Sequence, residues 1–190
     1  MRIVPFGNLV IAIAFGTLAW RRRSRFSSEP FMHWFVYLLL LALGLHQFEE
    51  YGWPGGFHSF FVQLTGLAKA PDRMPSRLQL ELLNLVGLLP AIGIAGWLGA
   101  RRAAWLGLAV VSATAGNGFF HFVYTVTTFS YCPGVVTGTL LFLPLWVLAS
   151  HDAVRRGSVG RWPLLGSFAL GTAVSVAPFL HARLLLSLAG

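Results

Sequence analysis

The 190-residue chain contains very little cysteine and very little acidic charge. Cys132 is its one cysteine, so an internal disulfide and a metal site built from several thiolates are both excluded. Only six acidic residues are present, and charged residues make up 11% of the chain against 56% hydrophobic residues. Apolar stretches this long and this poor in charge are typical of membrane spans. The sequence therefore predicts a single integral membrane domain rather than a soluble protein.

The net charge of +8 comes almost entirely from arginine, and the positions of the arginines argue against nucleic-acid binding. Nine of them lie in three short loops between apolar segments, at 21–25, 101–102 and 155–161. Clustered positive residues beside spans mark the cytoplasmic side of a membrane protein. Fewer basic residues, among them Arg2 and Arg73, fall on the other side. We therefore predict that both chain termini lie outside the cytoplasm.

Six apolar segments are long enough to cross a bilayer. They cover about 3–20, 31–51, 78–98, 103–127, 135–150 and 163–188. Between the second and the third, residues 57–67 place aromatic and aliphatic side chains at roughly helical spacing, which predicts a short helix lying in the outer membrane interface. The predicted fold is an all-α, polytopic bundle of about six transmembrane helices in the cell membrane, with both termini extracytoplasmic.

Ionisable and amide side chains are concentrated in the outer parts of four predicted spans. Such groups are costly at membrane depth and mark functional sites. On a helix, His46 shares a face with both Glu49 and Glu50, and spacing alone leaves open which glutamate faces the bundle interior. The further polar residues at the same depth are Glu81 and Asn84, then Asn117, His121 and Tyr124, and finally His181 and Arg183.

This set of imidazoles and carboxylates, without thiolates, suits one or two Zn or Fe ions. The predicted ligands are His46, Glu50, His121 and His181, and the hypothesis requires His46 and His121 to lie within about 12 Å of each other. Glu49 and Glu81 are expected to act as further ligands or bases. Asn84, Asn117 and Tyr124 are expected to orient ligands or substrate. Arg183 either neutralises the glutamates, binds an anionic substrate group or extends to the lipid headgroups.

The segment His46-Gln-Phe-Glu-Glu50 resembles the motif of the HXXEE-domain integral membrane proteins. That family pattern also contains a histidine, a Tyr-x-Pro-Gly motif and an arginine, to which His121, residues 131–134 and Arg183 correspond here. The resemblance extends from residue 46 to about residue 183. It implies a multi-span membrane protein with a metal or acid–base site, and it adds Tyr131 to the candidate catalytic residues Glu49, Glu81 and Arg183. It does not imply a particular reaction.

Three functions are consistent with this pattern. The first is a metal-dependent enzyme, hydrolase-like or an iron oxidoreductase, that acts on a lipid or other apolar substrate from the outer leaflet. The second is a metal-free acid–base isomerase or cyclase of an isoprenoid or sterol-like substrate, with Trp53, Phe119, Phe120 and Tyr124 stabilising a carbocation. The third is non-enzymatic binding or transport of a metal or lipid, which the nearly apolar inner halves of the spans disfavour. Gly134 and Gly138 could serve packing within the chain or dimerisation equally.

Overall fold

A computed structural model describes residues 3–25, 31–70, 72, 74–102 and 104–187, and within these residues the chain is helical without any strand. The helices in chain order are α1 (Ile3–Arg22), α2 (Phe31–Tyr51), α3 (Phe57–Thr65), α4 (Arg77–Leu82, π-helical Leu83–Leu88 and Leu89–Arg102), α5 (Ala104–Thr128), α6 (Val135–Thr137, π-helical Gly138–Phe142 and Leu143–Arg155) and α7 (Arg161–Ser187). The all-α prediction is confirmed.

Four of these helical stretches are long and apolar enough to cross a membrane, namely Arg77–Leu98, Trp105–Thr128, Val135–Arg155 and Arg161–Leu184. The number of six spans and the side on which the termini lie stay predictions. The predicted interfacial helix ends earlier than expected, at Thr65, because Gly66 adopts a left-handed conformation with φ of 80°. Arg2, Arg73 and the predicted span ends at residues 103 and 188 lie outside the described residues.

Helix α2 lies at the centre of the bundle and contacts α1, α4 and α6. Phe35, Leu39 and Leu43 follow one another at intervals of four residues and are buried in the core with side chains of α5 and α6. The same face continues toward the C-terminus of α2 to His46 and Glu50, at the helical spacing of three and four residues. The face that forms the apolar core in its first half therefore directs polar side chains into the bundle in its second half.

Small residues allow helices α5, α6 and α7 to approach closely. A Cβ atom on Gly171 of α7 would lie 2.4 Å from the backbone oxygen of Ser112, and one on Gly118 of α5 would lie 2.6 Å from the oxygen of Gly138. Ser112 also lies 3.0 Å from the Ser167 hydroxyl. Close backbone approach and hydrogen bonds between helices are the means by which membrane helices associate, since lipid supplies no hydrophobic force between them.

The outer surface of the bundle is strongly apolar. Large side chains such as Val86, Ile94, Val174 and Leu180 are more than half exposed. A soluble monomer rarely presents apolar patches of this extent, whereas a bilayer would cover them. Together with the length of the helices, this surface indicates a membrane protein.

We expect Gly171→Ala to lower the free energy of unfolding by about 1–3 kcal/mol, because the new methyl group overpacks the contact with α5. Gly166, on the same helix, is the matched control, because a Cβ there has no neighbour within 4 Å. Gly166→Ala should be neutral or stabilising by up to about 1 kcal/mol, since alanine favours helix. Thermal unfolding of both variants in one detergent measures the difference, and equal stabilities would contradict the close α5–α7 contact.

Candidate metal centre

Three buried side chains from two helices meet at the end of the bundle where α2 ends. Nε2 of His46 and Nε2 of His121 each lie 3.4 Å from Oε1 of Glu50. The two imidazole rings have their centroids 5.2 Å apart, well within the distance that the metal hypothesis requires. All three residues are at most 3% exposed. We refer to His46, Glu50 and His121 as the His–Glu–His cluster.

The geometry of the His–Glu–His cluster fits a metal ion. One ligand atom of each residue lies within 4.8 Å of the other two. A tetrahedral zinc site with bonds of about 2.0–2.1 Å places its ligand atoms about 3.3–3.4 Å apart, which matches both contacts of Glu50. Nε2 of His121 is buried without a hydrogen-bond partner, so it has a free ligand position. Neutral imidazole and carboxylate suit zinc and iron alike, so the donor set does not identify the ion.

The two neighbouring glutamates point in different directions. Glu49 accepts hydrogen bonds from the Tyr131 hydroxyl, from the backbone N–H groups of Val136 and Thr137, and from the Thr137 hydroxyl. It thereby satisfies backbone donors in the first turn of α6 that have no partner within the helix. Because Glu49 is occupied in this way, Glu50 is the glutamate that faces the histidines.

The Tyr-x-Pro-Gly segment lies directly against the cluster. Gly134 has φ of 95°, and a Cβ atom there would lie 2.5 Å from Cε1 of His46. Cys132 Sγ lies 3.0 Å from Nδ1 of His121, on the ring edge that faces away from Glu50. Burial, followed by the charges of nearby glutamates, raises the pKa of the Cys132 thiol to about 12. The segment therefore contacts His121 through the protonated thiol of Cys132 and His46 through the backbone of Gly134.

Three side chains that support the cluster did not stand out in the sequence. Gln47 donates an amide hydrogen to Oε2 of Glu50 over 3.1 Å, Cys132 contacts His121, and the Thr137 hydroxyl lies 2.9 Å from Nδ1 of His46. Partners of this kind hold ligating side chains in orientation. One sequence signal could have indicated the role of Thr137, namely its position three residues after Gly134 of the Tyr-x-Pro-Gly motif.

Tyr131, a candidate catalytic residue, belongs to this supporting layer. Its hydroxyl donates to Oε1 of Glu49 over 2.8 Å. Burial and this hydrogen bond raise the pKa of Tyr131 above its ordinary value, so the phenol stays neutral and acts as a donor. The structure thus places Tyr131 and Glu49 beside the cluster rather than among its three ligand atoms.

Glu81 and Asn84 form a separate polar group in the N-terminal part of α4. Glu81 is buried and pairs with Arg77, which also donates to the backbone oxygen of Tyr51. The Asn84 amide donates to the Tyr51 hydroxyl over 2.8 Å. These contacts tie α4 to the end of α2. Glu81 therefore faces Arg77, and Asn84 faces Tyr51. These positions do not support Glu81 as a metal ligand or Asn84 as a residue that orients ligands.

His181 and Arg183 also lie away from the His–Glu–His cluster. Both are exposed on α7, whereas Phe179 and Ala182 are the buried residues of the same turn. The Arg183 guanidinium donates to the backbone oxygen of Leu64, at the end of α3, over 2.9 Å. His181 therefore does not reach the histidine pair, and Arg183 does not reach the glutamates. The face of α7 that packs inward carries other residues.

An aromatic cluster lies beside His121 and consists of Phe60, Phe120, Tyr124 and Phe179. Phe60 and Tyr124 pack edge to face with centroids 4.9 Å apart, and the Phe120 ring lies 5.5 Å from the imidazole of His121. Trp53 and Phe119 are exposed, so the four aromatics expected to stabilise a carbocation are not assembled together. Asn117 is half-buried on α5, one turn before His121.

We expect Gly134→Ala to destabilise the protein more than Gly157→Ala. Both glycines have positive φ, so alanine costs about 1–2 kcal/mol of backbone strain at either position. A Cβ on Gly157 meets nothing within 4 Å, while a Cβ on Gly134 collides with His46, which adds about 1–3 kcal/mol. Unfolding of the two variants in the same detergent compares them, and equal losses would show that the contact with His46 is absent.

Comparison with known proteins agrees with the motif. A model of the family described as "Protein of unknown function with HXXEE motif" matches residues 34–149, which is more than half of the chain. Neither the curated proteins nor the solved structures gave a significant match. The matched region contains all three residues of the His–Glu–His cluster and the Tyr-x-Pro-Gly segment. The chain belongs to the HXXEE family.

Proposed function

We propose that this HXXEE protein is a membrane-embedded, metal-dependent enzyme that acts on a lipid or other apolar substrate in the outer half of the bilayer. The observation that carries the proposal is the His–Glu–His cluster, whose ligand atoms converge at 3.4 Å inside an apolar bundle. A buried carboxylate between two imidazoles is expensive in a low-dielectric interior unless a charge partner compensates it. A divalent cation bound by Glu50 and both histidines supplies that compensation.

The proposed membrane topology has six spans within one domain. Helices α1 and α2 are 20 and 21 residues long, and at about 1.5 Å per residue each extends about 30 Å, the thickness of a hydrocarbon core. They join the four stretches already found long and apolar enough to cross. The arginine-rich loops favour the cytoplasm for the ends opposite to the His–Glu–His cluster. The cluster then lies in the extracytoplasmic half of the bundle.

Two histidines and one carboxylate are a donor set used by catalytic zinc sites and by non-haem iron enzymes. Three protein ligands leave coordination positions free for a substrate or water. A bound zinc or iron ion would supply Lewis-acid activation or, with iron, oxygen chemistry. This choice between hydrolase-like and oxidoreductase function depends on the ion.

The protein's own residues hold and shield this centre. Gln47 keeps Oε2 of Glu50 hydrogen-bonded, so Oε1 is the oxygen directed at both histidines. The aromatic cluster, which includes Phe60 of α3, packs beside the buried His121, and this cover excludes water from the reaction. An apolar substrate fits such surroundings. It reaches the cluster by displacing part of this cover, and α3 is bounded by Gly56 and Gly66, both in left-handed conformations.

Metal-free acid–base catalysis by the same three side chains is the second candidate function. Glu50 lies at 3.4 Å from each imidazole, a spacing from which a proton could pass between carboxyl and imidazole through small movements. The incomplete set of aromatics around the cluster favours the metal-dependent function over this one. Metal or lipid transport is the third candidate, and the hydrophobic core below the cluster disfavours it.

We expect purified protein in detergent to bind close to one Zn²⁺ or Co²⁺ per chain, measured by elemental analysis after dialysis. His121→Ala and Glu50→Gln should each lose the bound ion, because each removes one of three ligands. His181→Ala is the matched control and should keep it, since His181 is exposed on α7. Thermal unfolding of each variant distinguishes loss of the ligand from loss of the fold.

Folded wild-type protein that binds neither ion would reject the metal-dependent function and leave acid–base catalysis. Loss of the ion in His181→Ala as complete as in His121→Ala would mean that α7 contributes a ligand, contrary to the proposed three-residue site. Retention of the ion in Glu50→Gln would reject the assignment of Glu50 as a ligand.

A further inference from the structure

We propose that Glu49 is a positioning residue that acts through Thr137 to set the tautomer of His46. In this arrangement the Nδ1 atom of His46 carries the proton, and Nε2 keeps its lone pair toward Glu50 and His121. The purpose of this device rests on the proposed metal function, because a metal needs that lone pair. The tautomer itself can be measured without any metal.

The first step is that Glu49 is a carboxylate with only acceptor sites. The backbone N–H groups of Val136 and Thr137 can only donate, and they reach Oε1 and Oε2 at 3.0 and 2.8 Å. The hydroxyl of Tyr131 adds a third contact on Oε1 and the hydroxyl of Thr137 a fourth on Oε2. Each oxygen of Glu49 thus accepts from one backbone N–H group and one hydroxyl, which is the arrangement expected of a carboxylate that carries no hydrogen of its own.

The second step concerns the single proton of the Thr137 hydroxyl. It can be donated only once, and three acceptors lie within reach of it: Oε2 of Glu49 at 2.5 Å, Nδ1 of His46 at 2.9 Å and the oxygen of Gly134 at 3.5 Å. Because a carboxylate has no hydrogen to donate, the contact with Oε2 requires the proton of the hydroxyl. The hydroxyl therefore donates to Glu49. Toward Nδ1 of His46, at 2.9 Å, the same oxygen can then only accept. It follows that Nδ1 is the nitrogen of His46 that carries a hydrogen.

The third step is what this leaves at Nε2. In a neutral imidazole with hydrogen on Nδ1, Nε2 is an acceptor and a metal ligand. Nε2 of His46 lies 3.4 Å from Oε1 of Glu50, and this carboxylate on its own would draw the proton onto Nε2. The chain from Glu49 through Thr137 opposes that pull. Glu49 and Glu50 thus act on opposite edges of the His46 imidazole. Thr137 transmits the effect of Glu49.

The test is nitrogen NMR of chelator-treated protein labelled with ¹⁵N-histidine. The resonances of His46 are identified by their absence in His46→Gln. We expect wild-type protein to show a protonated Nδ1 and an unprotonated Nε2. Thr137→Val removes the accepting oxygen and should shift the proton to Nε2 in a measurable fraction of molecules. Thr137→Ser keeps a hydroxyl and should retain the wild-type tautomer.

Two further variants make the test robust. Thr128→Val is the matched control, because the Thr128 hydroxyl donates to the backbone oxygen of Tyr124 and should not affect His46. Glu49→Gln replaces an acceptor with an amide donor and should shift the tautomer in the same direction as Thr137→Val. Zn²⁺ affinity should fall about 10- to 100-fold in Thr137→Val and stay close to wild type in Thr137→Ser.

Wild-type protein with its proton on Nε2 would overturn the inference, as would folded Thr137→Val with an unchanged tautomer. If Thr137→Val does not fold, the wild-type spectrum and the Glu49→Gln spectrum decide the matter by the same criteria. The expected tautomer in protein that binds no metal would support the positioning role and reject the metal function. Metal binding with the opposite tautomer would reject the positioning role alone.

Discussion

The segment 131–137 lies against the C-terminal end of α2, and the His–Glu–His cluster depends on this contact. Glu49 satisfies backbone donors at the start of α6, while Gly134 lets the chain pass directly over the ring of His46. In the low dielectric of a membrane protein, an ionised carboxylate that lost these donors would be buried without compensation. Separation of the two stretches would therefore carry a large penalty.

This contact also explains why two successive glutamates can serve different purposes. They are about 100° apart around the helix, so one reaches sideways to the first turn of α6 while the other reaches inward to the histidines. His46 belongs to both arrangements, with one ring nitrogen near Thr137 and the other near Glu50. His46 therefore belongs both to the contact between α2 and α6 and to the His–Glu–His cluster. A substitution in that contact can affect the cluster without replacing one of its three residues.

Positions along the helices predicted one group of residues that meet, but not which face of each helix turns inward. His46, Glu50 and His121 meet as their depth suggested. His181 was predicted at the same depth, yet it is exposed, and Glu81 is buried against Arg77 instead. Counting residues along a helix gives height at about 1.5 Å per residue, but the rotation of a helix about its axis depends on which neighbours it packs against. That rotation decides whether a polar residue faces a cavity, another helix or lipid.

The sequence by itself determined the helical class, the membrane character and the family. These follow from local properties, namely apolar length, residue spacing and a short motif. Only the tertiary structure decided that Glu50 rather than Glu49 faces the histidines, that Thr137 and Cys132 support the rings, and that His181 lies apart. Those facts rest on contacts between residues as far as 91 positions apart in the chain. No pattern in one chain specifies such contacts, because they arise from how several helices pack at once.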